Sequence, residues 1–156
     1  MGMPVHWVEW VAHAGGVTDV DLVCESLVWL TGSEECIDVE RMDSYHGSNL
    51  YLIRALLQKK SEARLAFARL GVDVLSKLGD SLDGRVDDDN CLHLRLSLNS
   101  LASGEIELVE PTTEQASIKG KVKLEAYPGE DSIEVASTLI EQAIERAVRN
   151  DLPEPP

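Results

Sequence analysis

The sequence has few of the residues that cross-link small proteins or anchor them in membranes. Its 3 cysteines form no C-x-x-C pair and have no histidine at zinc-ligand spacing, so we expect neither a disulfide framework nor a metal site. No apolar run reaches the length of a membrane span and no secretory signal opens the chain, which predicts a cytoplasmic protein without a membrane partner. Only 4% of the residues are aromatic, and we expect Trp7, Trp10 and Trp29 to fill the core.

Sequence motifs of catalysis are also missing. The chain has no G-x-S-x-G element, no P-loop and no other glycine-rich phosphate loop, so we expect a protein that is not an enzyme and holds no cofactor. The run from Asp87 to Asp89 offers carboxylates of the kind that hard cations prefer, which leaves a metal-dependent hydrolase as an alternative. It lacks the alternating ligand positions of a calcium loop, and an acidic turn before a strand is the favoured interpretation.

The charge of the chain is strongly negative but unevenly distributed. Its 28 acidic residues outnumber 14 lysines and arginines, giving a net charge of -14, which weakens attraction to nucleic-acid phosphates unless the cations are clustered. Residues 51–78 contain six cations against Glu62 and Asp73, and three of the six lysines lie within 119–123. We therefore expect a localised cationic surface on an acidic protein. Adaptation to high salt is an alternative explanation of the acidity.

Hydrophobic periodicity predicts one domain over residues 1–150 and a disordered, proline-rich tail at 151–156. The segment 50–57 is a short apolar run, and such a run does not distinguish a buried strand from a helix. Outside the segment 85–127, the sequence also predicts strands at 4–13 and 35–42. The predicted helices are one capped at Thr18 that ends at Gly32, one over 61–79 that Gly71 could break, and one over 130–149.

Polar and apolar residues alternate through the segment 85–127. Because side chains of a strand alternate between its two faces, this pattern predicts three strands of a mostly antiparallel sheet that helices cover on its apolar face only. The apolar face would carry Leu92, Leu94, Leu96, Leu98, Ile118, Gly120, Val122 and Leu124, and the polar face His93, Arg95, Ser97, Asn99, Lys119, Lys121 and Lys123.

Two short motifs lie beside the predicted strands. Residues 44–50 read SYHGSNL, and residues 85–88 read RVDD before LHLRL at 92–96 and G-x-I-x-L at 104–108. With the order of the elements, these runs resemble an archaeal RNA-binding family of exosome-subunit-like proteins, related in fold to ribosomal protein L5. In the first run, the tyrosine and histidine of the family pattern are exchanged and its proline is missing. The resemblance implies an L5-like α+β domain with a non-catalytic role in RNA binding, within RNA processing or ribosome-related work.

The charge pattern and the resemblance together nominate two surfaces for RNA. One is the polar face of the predicted sheet, and the other is the cationic side of the helix that begins near Lys60. His93 is the only ring expected on that sheet face, with Tyr45 and Tyr127 near its ends, so structured or double-stranded RNA is favoured over stacked single strands. The candidate RNA-binding residues are His93, Arg95, Lys119, Lys121, Lys123, Lys59, Lys60, Arg64, Tyr45 and His46.

Other interpretations of these surfaces remain open. The three lysines at 119–123, called the lysine row below, could pair with Glu105, Glu107 and Glu110 on a neighbouring strand. The cations of the helix could be an ordinary solvated face. The cationic patch could also dock an acidic protein partner, or join a homodimer in which positive and negative surfaces pair. The chain would then be a protein-protein adaptor without direct RNA contact. RNA-processing proteins are further candidate partners.

Overall fold

The chain folds into strands and helices that alternate irregularly along the sequence. The computed structural model describes residues 2–15, 19–43 and 49–156. Its elements are β1 (Val5–Gly15), α1 (Val20–Thr31), β2 (Ile37–Asp43), β3 (Asn49–Leu57), α2 (Lys60–Ala68), α3 (Gly71–Gly79), β4 (Cys91–Ser97), α4 (Leu98–Ala102), β5 (Ser117–Leu124) and α5 (Ser132–Asn150).

These five strands form one antiparallel sheet. Its order is β2-β3-β1-β5-β4, and every neighbouring pair is antiparallel. Alternate residues of the strands are buried in a core shared with the helices, and the remaining strand residues form an opposite face, called the open face below. The predicted α+β class, an antiparallel sheet with helices against one face, is confirmed.

Side-chain caps explain where the first and last helices begin. The carboxylate of Asp19 accepts hydrogen bonds from two backbone N–H groups in the first turn of α1, at 2.9 and 3.4 Å. Asp19 is therefore the cap of this helix, whereas the predicted cap, Thr18, lies outside the described residues. Gly32, with a φ of 75°, ends α1 in the left-handed conformation. Asp131 caps α5 through a backbone N–H at 3.0 Å, as predicted.

The core is organised around one large ring on β1. Trp10 has 0% exposed surface and lies opposite Gly120 in the β1–β5 register. A Cβ atom at position 120 would come within 2.3 Å of the Trp10 ring, much closer than packed atoms approach one another. Glycine therefore leaves the space that the indole fills between the sheet and the helices.

Two details of the predicted strand region are wrong. Strand β4 ends at Ser97, and Leu98 begins α4 instead of continuing the leucine alternation. The Ser97 hydroxyl accepts a hydrogen bond from the N–H of Ser100 at 3.2 Å, and this cap stabilises the helical turn. The expected middle strand around Leu108 forms an isolated bridge with Leu96 at the outer edge of β4, so β5 pairs directly with β4 and β1.

The ambiguous segment at 50–57 is a strand. As β3 it pairs with β1 on one side and with β2 on the other, and this central position accounts for its apolar run. The long helix predicted over 61–79 is two helices, because Gly71, at a φ of 86°, interrupts the helical backbone. None of the helices within the described residues is long and apolar enough to cross a bilayer.

The last six residues lie against the helices, where the sequence predicts disorder. The Trp29 indole N–H donates to the carbonyl of Glu154 at 2.9 Å, and the carboxylate of Glu154 lies 3.7 Å from the guanidinium of Arg69. Arg69 is itself buried and donates to the carbonyl of Trp29 at 2.6 Å. Leu152 packs against the core, so the tail is held by both polar and apolar contacts.

The packing of Trp10 on Gly120 predicts that Gly120→Ala is destabilising. The added methyl group would press on a fully buried ring that has no free space to enter, and overpacking of this kind costs about 1–3 kcal/mol. The free energy of unfolding in urea measures the effect. Gly79→Ala is a matched control, because its Cβ would meet Ile140 at an ordinary 3.4 Å, and alanine at this helical position should leave stability unchanged or raise it by up to about 1 kcal/mol. Equal stability of the two variants would contradict the proposed packing.

Candidate functional site

The open face carries a compact group of cations on β4 and β5. Arg95 lies opposite Lys119 and His93 lies opposite Lys121 across this strand pair, and Lys123 continues the row. Directly opposite residues have Cβ atoms only about 5 Å apart, so the like charges of Arg95 and Lys119 are destabilising in that position. An anionic ligand placed between these side chains would remove the repulsion.

The acidic residues expected to neutralise the lysine row lie elsewhere. Glu105, Glu107 and Glu110 belong to the segment at the outer edge of β4, one strand away from β5. The Glu107 carboxylate accepts a hydrogen bond from the Ser100 hydroxyl at 2.6 Å. In the part of the chain that the structure describes, no carboxylate lies within 4.0 Å of the amino groups of residues 119, 121 and 123. The expected pairing with these three glutamates therefore does not explain the row, and Glu9, which lies opposite Lys121 across the β1–β5 pair, is 3.4 Å from Arg54 instead.

Part of this cationic group lines a concavity of about 320 Å³. Arg85, His93, Arg95 and Lys119 contribute to its walls. Two short segments bridge the outer edge of β4 on either side of it, since the carbonyl of Arg85 accepts the N–H of His93 at 2.8 Å and the carbonyl of Arg95 accepts the N–H of Val109 at 2.9 Å. Sequence reasoning missed Arg85 as a site residue, although it opens the RVDD motif.

Trp7 belongs to the open face, and the prediction that it fills the core is wrong. It lies opposite Lys123 in the β1–β5 register and is only partly buried. The Lys121 amino group lies 5.8 Å from the centre of its ring, a cation–π contact that contributes about 0.5–1 kcal/mol at an exposed site. Trp10 points into the core because residues three apart on a strand face opposite sides. The odd spacing between Trp7 and Trp10 was therefore the signal in the sequence that the two rings lie on opposite faces.

The acidic run at the start of β4 is a hydrogen-bonded turn. One carboxylate oxygen of Asp87 accepts the backbone N–H groups of Asp89 and Cys91 at 2.9 and 3.0 Å, and the other lies 2.6 Å from Nε2 of His93. The hydrogen bond with His93, followed by those from the two N–H groups, lowers the pKa of Asp87. Lys123 also donates to the carbonyl of Asp89. These contacts account for the acidic run as a structural turn.

The helix candidates lie apart from this group, and two of them have partners of their own. The Lys60 amino group lies 2.7 Å from the carboxylate of Glu125, and this hydrogen bond lowers the pKa of Glu125. Arg64 donates through Nε to the carbonyl of Met3 at 3.0 Å. Lys59 is exposed just before α2. The structure therefore does not join these residues into one cationic surface with β4 and β5.

Two sequence-predicted residues, Tyr45 and His46, lie outside the described residues. Their contribution to RNA binding stays a prediction. Tyr127 is exposed beyond the end of β5, and its hydroxyl donates to the carboxylate of Glu125 at 3.2 Å.

The chain belongs to a family described as RNA binding, whose model matches residues 7–124. The matched region runs from β1 to the end of β5 and includes the cationic group and Trp7. No curated protein matches the chain. The likeness to ribosomal protein L5 and to exosome subunits stays a prediction.

Solved structures of archaeal proteins share the fold. A DUF54 protein from Methanothermobacter thermautotrophicus is 25% identical with a TM-score of 0.68, over 90% of this chain and 98% of its own. A DUF54 protein from Archaeoglobus fulgidus is 25% identical with a TM-score of 0.66, over 89% and 96% of the two chains. One from Sulfolobus solfataricus, at 14% identity and a TM-score of 0.65 over 88% and 99%, shows the fold alone.

The contact between His93 and Asp87 predicts a pH effect with a defined sign. Because the folded protein lowers the pKa of Asp87, the ionised carboxylate stabilises the fold above its ordinary pKa, and this contribution is lost as the pH falls through the lowered value. In His93→Ala the pKa of Asp87 should rise toward its ordinary value, as measured by carboxyl carbon NMR titration. His6→Ala, which removes a histidine near Glu125 instead, is the control. An unchanged pKa in His93→Ala would contradict the assignment.

Proposed function

We propose that this protein is a non-catalytic RNA-binding protein that holds RNA on the β4–β5 part of its open face. The observation that supports this most directly is the group of cations on the open face, in which Arg95 lies opposite Lys119 and no carboxylate lies within 4.0 Å of the amino groups of the three lysines among the described residues. A polyanion is the ligand class that suits such a group, because each phosphate it offers neutralises a cation and releases counterions. Membership of an RNA-binding family supports the same ligand.

The side chains divide naturally between two kinds of phosphate contact. Lysine ammonium groups on flexible stems suit any phosphate that passes along β5, whereas the planar guanidinium groups of Arg85 and Arg95 can bind phosphate oxygens in pairs. The concavity beside β4 brings both arginines together with Lys119, so it is the best place for a fixed phosphate. The excess of acid in the rest of the chain repels RNA elsewhere and favours docking on this face.

A setting in RNA processing or ribosome-related work is part of the proposal. It rests on the resemblance of the motifs at 44–50 and 85–96 to exosome-subunit-like proteins. RNA-processing proteins would then be further partners, recruited to the RNA or to other surfaces of the chain.

Replacement of Lys119 and Lys121 together by glutamine should weaken RNA binding at every RNA sequence tested. The loss of two phosphate contacts should reduce the slope of log affinity against log salt by about 0.7–0.9 per contact. Fluorescence anisotropy of a labelled RNA across a salt series measures both quantities. The double variant Lys77→Gln and Arg149→Gln is a matched control, because it removes the same charge from exposed positions on the helices that were not candidates for RNA binding. Equal salt slopes in the two variants would rule out the sheet face as the RNA site.

A second candidate function is homodimerisation or another protein-protein contact through the open face. Strand β2 at the far edge of the sheet places Asp38 and Glu40 on this same face, opposite Arg54 and Leu52 of β3. A two-fold axis through the sheet centre would set the acidic β2 of one copy against β4 of the other, which carries Arg95, with apolar side chains between them.

The dimer predicts that sedimentation gives a mass that rises with protein concentration and falls with salt. Asp38→Lys with Glu40→Lys should make the protein monomeric, since it replaces the acidic half of the paired surface with like charge. Glu141→Lys with Glu145→Lys, at exposed positions on α5, changes the net charge equally and should leave the dimer intact. A wild-type protein that remains monomeric at every concentration would exclude this candidate.

A further inference from the structure

We propose that Trp7 is a stacking platform for one nucleobase of a single-stranded RNA whose phosphates follow the lysine row of β5. The inference rests on the proposed function and names the class of RNA that the same face takes. It reverses the preference for structured or double-stranded RNA, which depended on His93 being the only ring on the face. Among the described residues of the open face, Trp7 is the largest ring, beside the exposed imidazoles of His93 and His13.

The position of Trp7 beside the lysine row is the first argument. Trp7 lies opposite Lys123 across the β1–β5 pair, and the Lys121 amino group reaches to 5.8 Å from the centre of its ring. The indole is therefore a direct neighbour of the charges that would hold the RNA backbone. A nucleotide whose phosphate contacts Lys121 or Lys123 can turn its base toward β1 and lay it on this ring.

The spacing of the lysines is the second argument. Residues two apart on an antiparallel strand are separated by about 6.8 Å along the backbone, so residues 119, 121 and 123 carry their flexible side chains at a repeat similar to that of an extended nucleotide backbone. A single strand can follow this line with successive phosphates. A duplex keeps its bases stacked inside and offers only phosphates and sugars to a flat surface, and it would leave the indole without a partner.

The third argument is the contact that the Trp7 ring now makes with Lys121. The Lys121 amino group covers the indole, but the side chain is only partly buried and makes no ion pair among the described residues. An incoming base can take its place, while the displaced ammonium group moves to the adjacent phosphate. This single rearrangement gives the Trp7 ring a stacked base and the Lys121 ammonium group a phosphate.

The binding of a single strand can be followed through the intrinsic fluorescence of the protein. Trp10 is fully buried and Trp29 is hydrogen-bonded to the tail, so quenching by a short oligouridylate of about 10 nucleotides should come from Trp7. Trp7→Phe should remove most of the quenching, and Trp29→Phe should keep it. Persistent quenching in Trp7→Phe would overturn the assignment of the platform.

Affinity gives a second readout that does not depend on fluorescence of the protein. With a labelled oligouridylate, Trp7→Leu should weaken binding roughly 5- to 100-fold, whereas Trp7→Phe, which keeps a ring, should lose less. The salt slope should stay unchanged, because no phosphate contact is removed. The affinity of both variants for a labelled RNA duplex of equal length should remain within about 2-fold of the parent. Urea midpoints near that of the parent show that the variants are folded.

The outcomes separate this inference from the function on which it rests. If the parent binds neither the oligouridylate nor the duplex at low salt, the proposed function itself fails. If the parent binds RNA but Trp7→Leu binds the oligouridylate as tightly as the parent, the platform is wrong and phosphate contact alone remains. If Trp7→Leu instead abolishes a concentration-dependent increase in mass, the ring belongs to a contact between two copies, and the platform is again overturned.

Discussion

The packing of Trp10 against Gly120 is the constraint on which the arrangement of the open face depends. A fully buried indole occupies the space that a glycine leaves on the next strand, and this fixes β1 against β5 in a single register. Because side chains of a strand alternate with a period of two, a slip of one residue would exchange the two faces of a strand. With Trp10 inward, Trp7 must lie outward, and with Gly120 inward, the lysines on either side of it must face solvent.

The sequence predicted those strands in which polar and apolar residues alternate along the whole strand. Strand β5 is one of them, since three lysines alternate with apolar residues. Local alternation was misleading at Leu98, where the Ser97 side chain caps a helical turn and a serine hydroxyl outweighs one more leucine in register. It also could not reveal which strands are neighbours. The segment around Leu108 follows β4 in the chain yet lies at its outer edge, while β5 inserts between β4 and β1.

The candidate site was predictable in its charges and less so in its ring. The cations of β4 and β5 followed from alternation alone, but Trp7 was assigned to the core by residue type, although its odd spacing from Trp10 places the two rings on opposite faces. The energies involved make this difference important. The contact of Trp7 with Lys121 contributes about 0.5–1 kcal/mol, whereas a base stacked on an aromatic ring contributes about 1–3 kcal/mol, so the ring favours a base over the lysine that now covers it.

The ion pairs that other cations of the same molecule form are the strongest reason to regard the lysine row as functional. Lys60 has Glu125, Arg54 has Glu9 at 3.4 Å and the buried Arg69 has Glu154, so acids are placed beside cations where the fold requires them. The chain has twice as many acidic residues as lysines and arginines. Arg95 and Lys119 nevertheless form a cross-strand pair of like charge on β4 and β5, at a cost of about 0.2–1 kcal/mol. In a fold of ordinary marginal stability, the polyanion that we propose as the ligand would relieve this repulsion on binding.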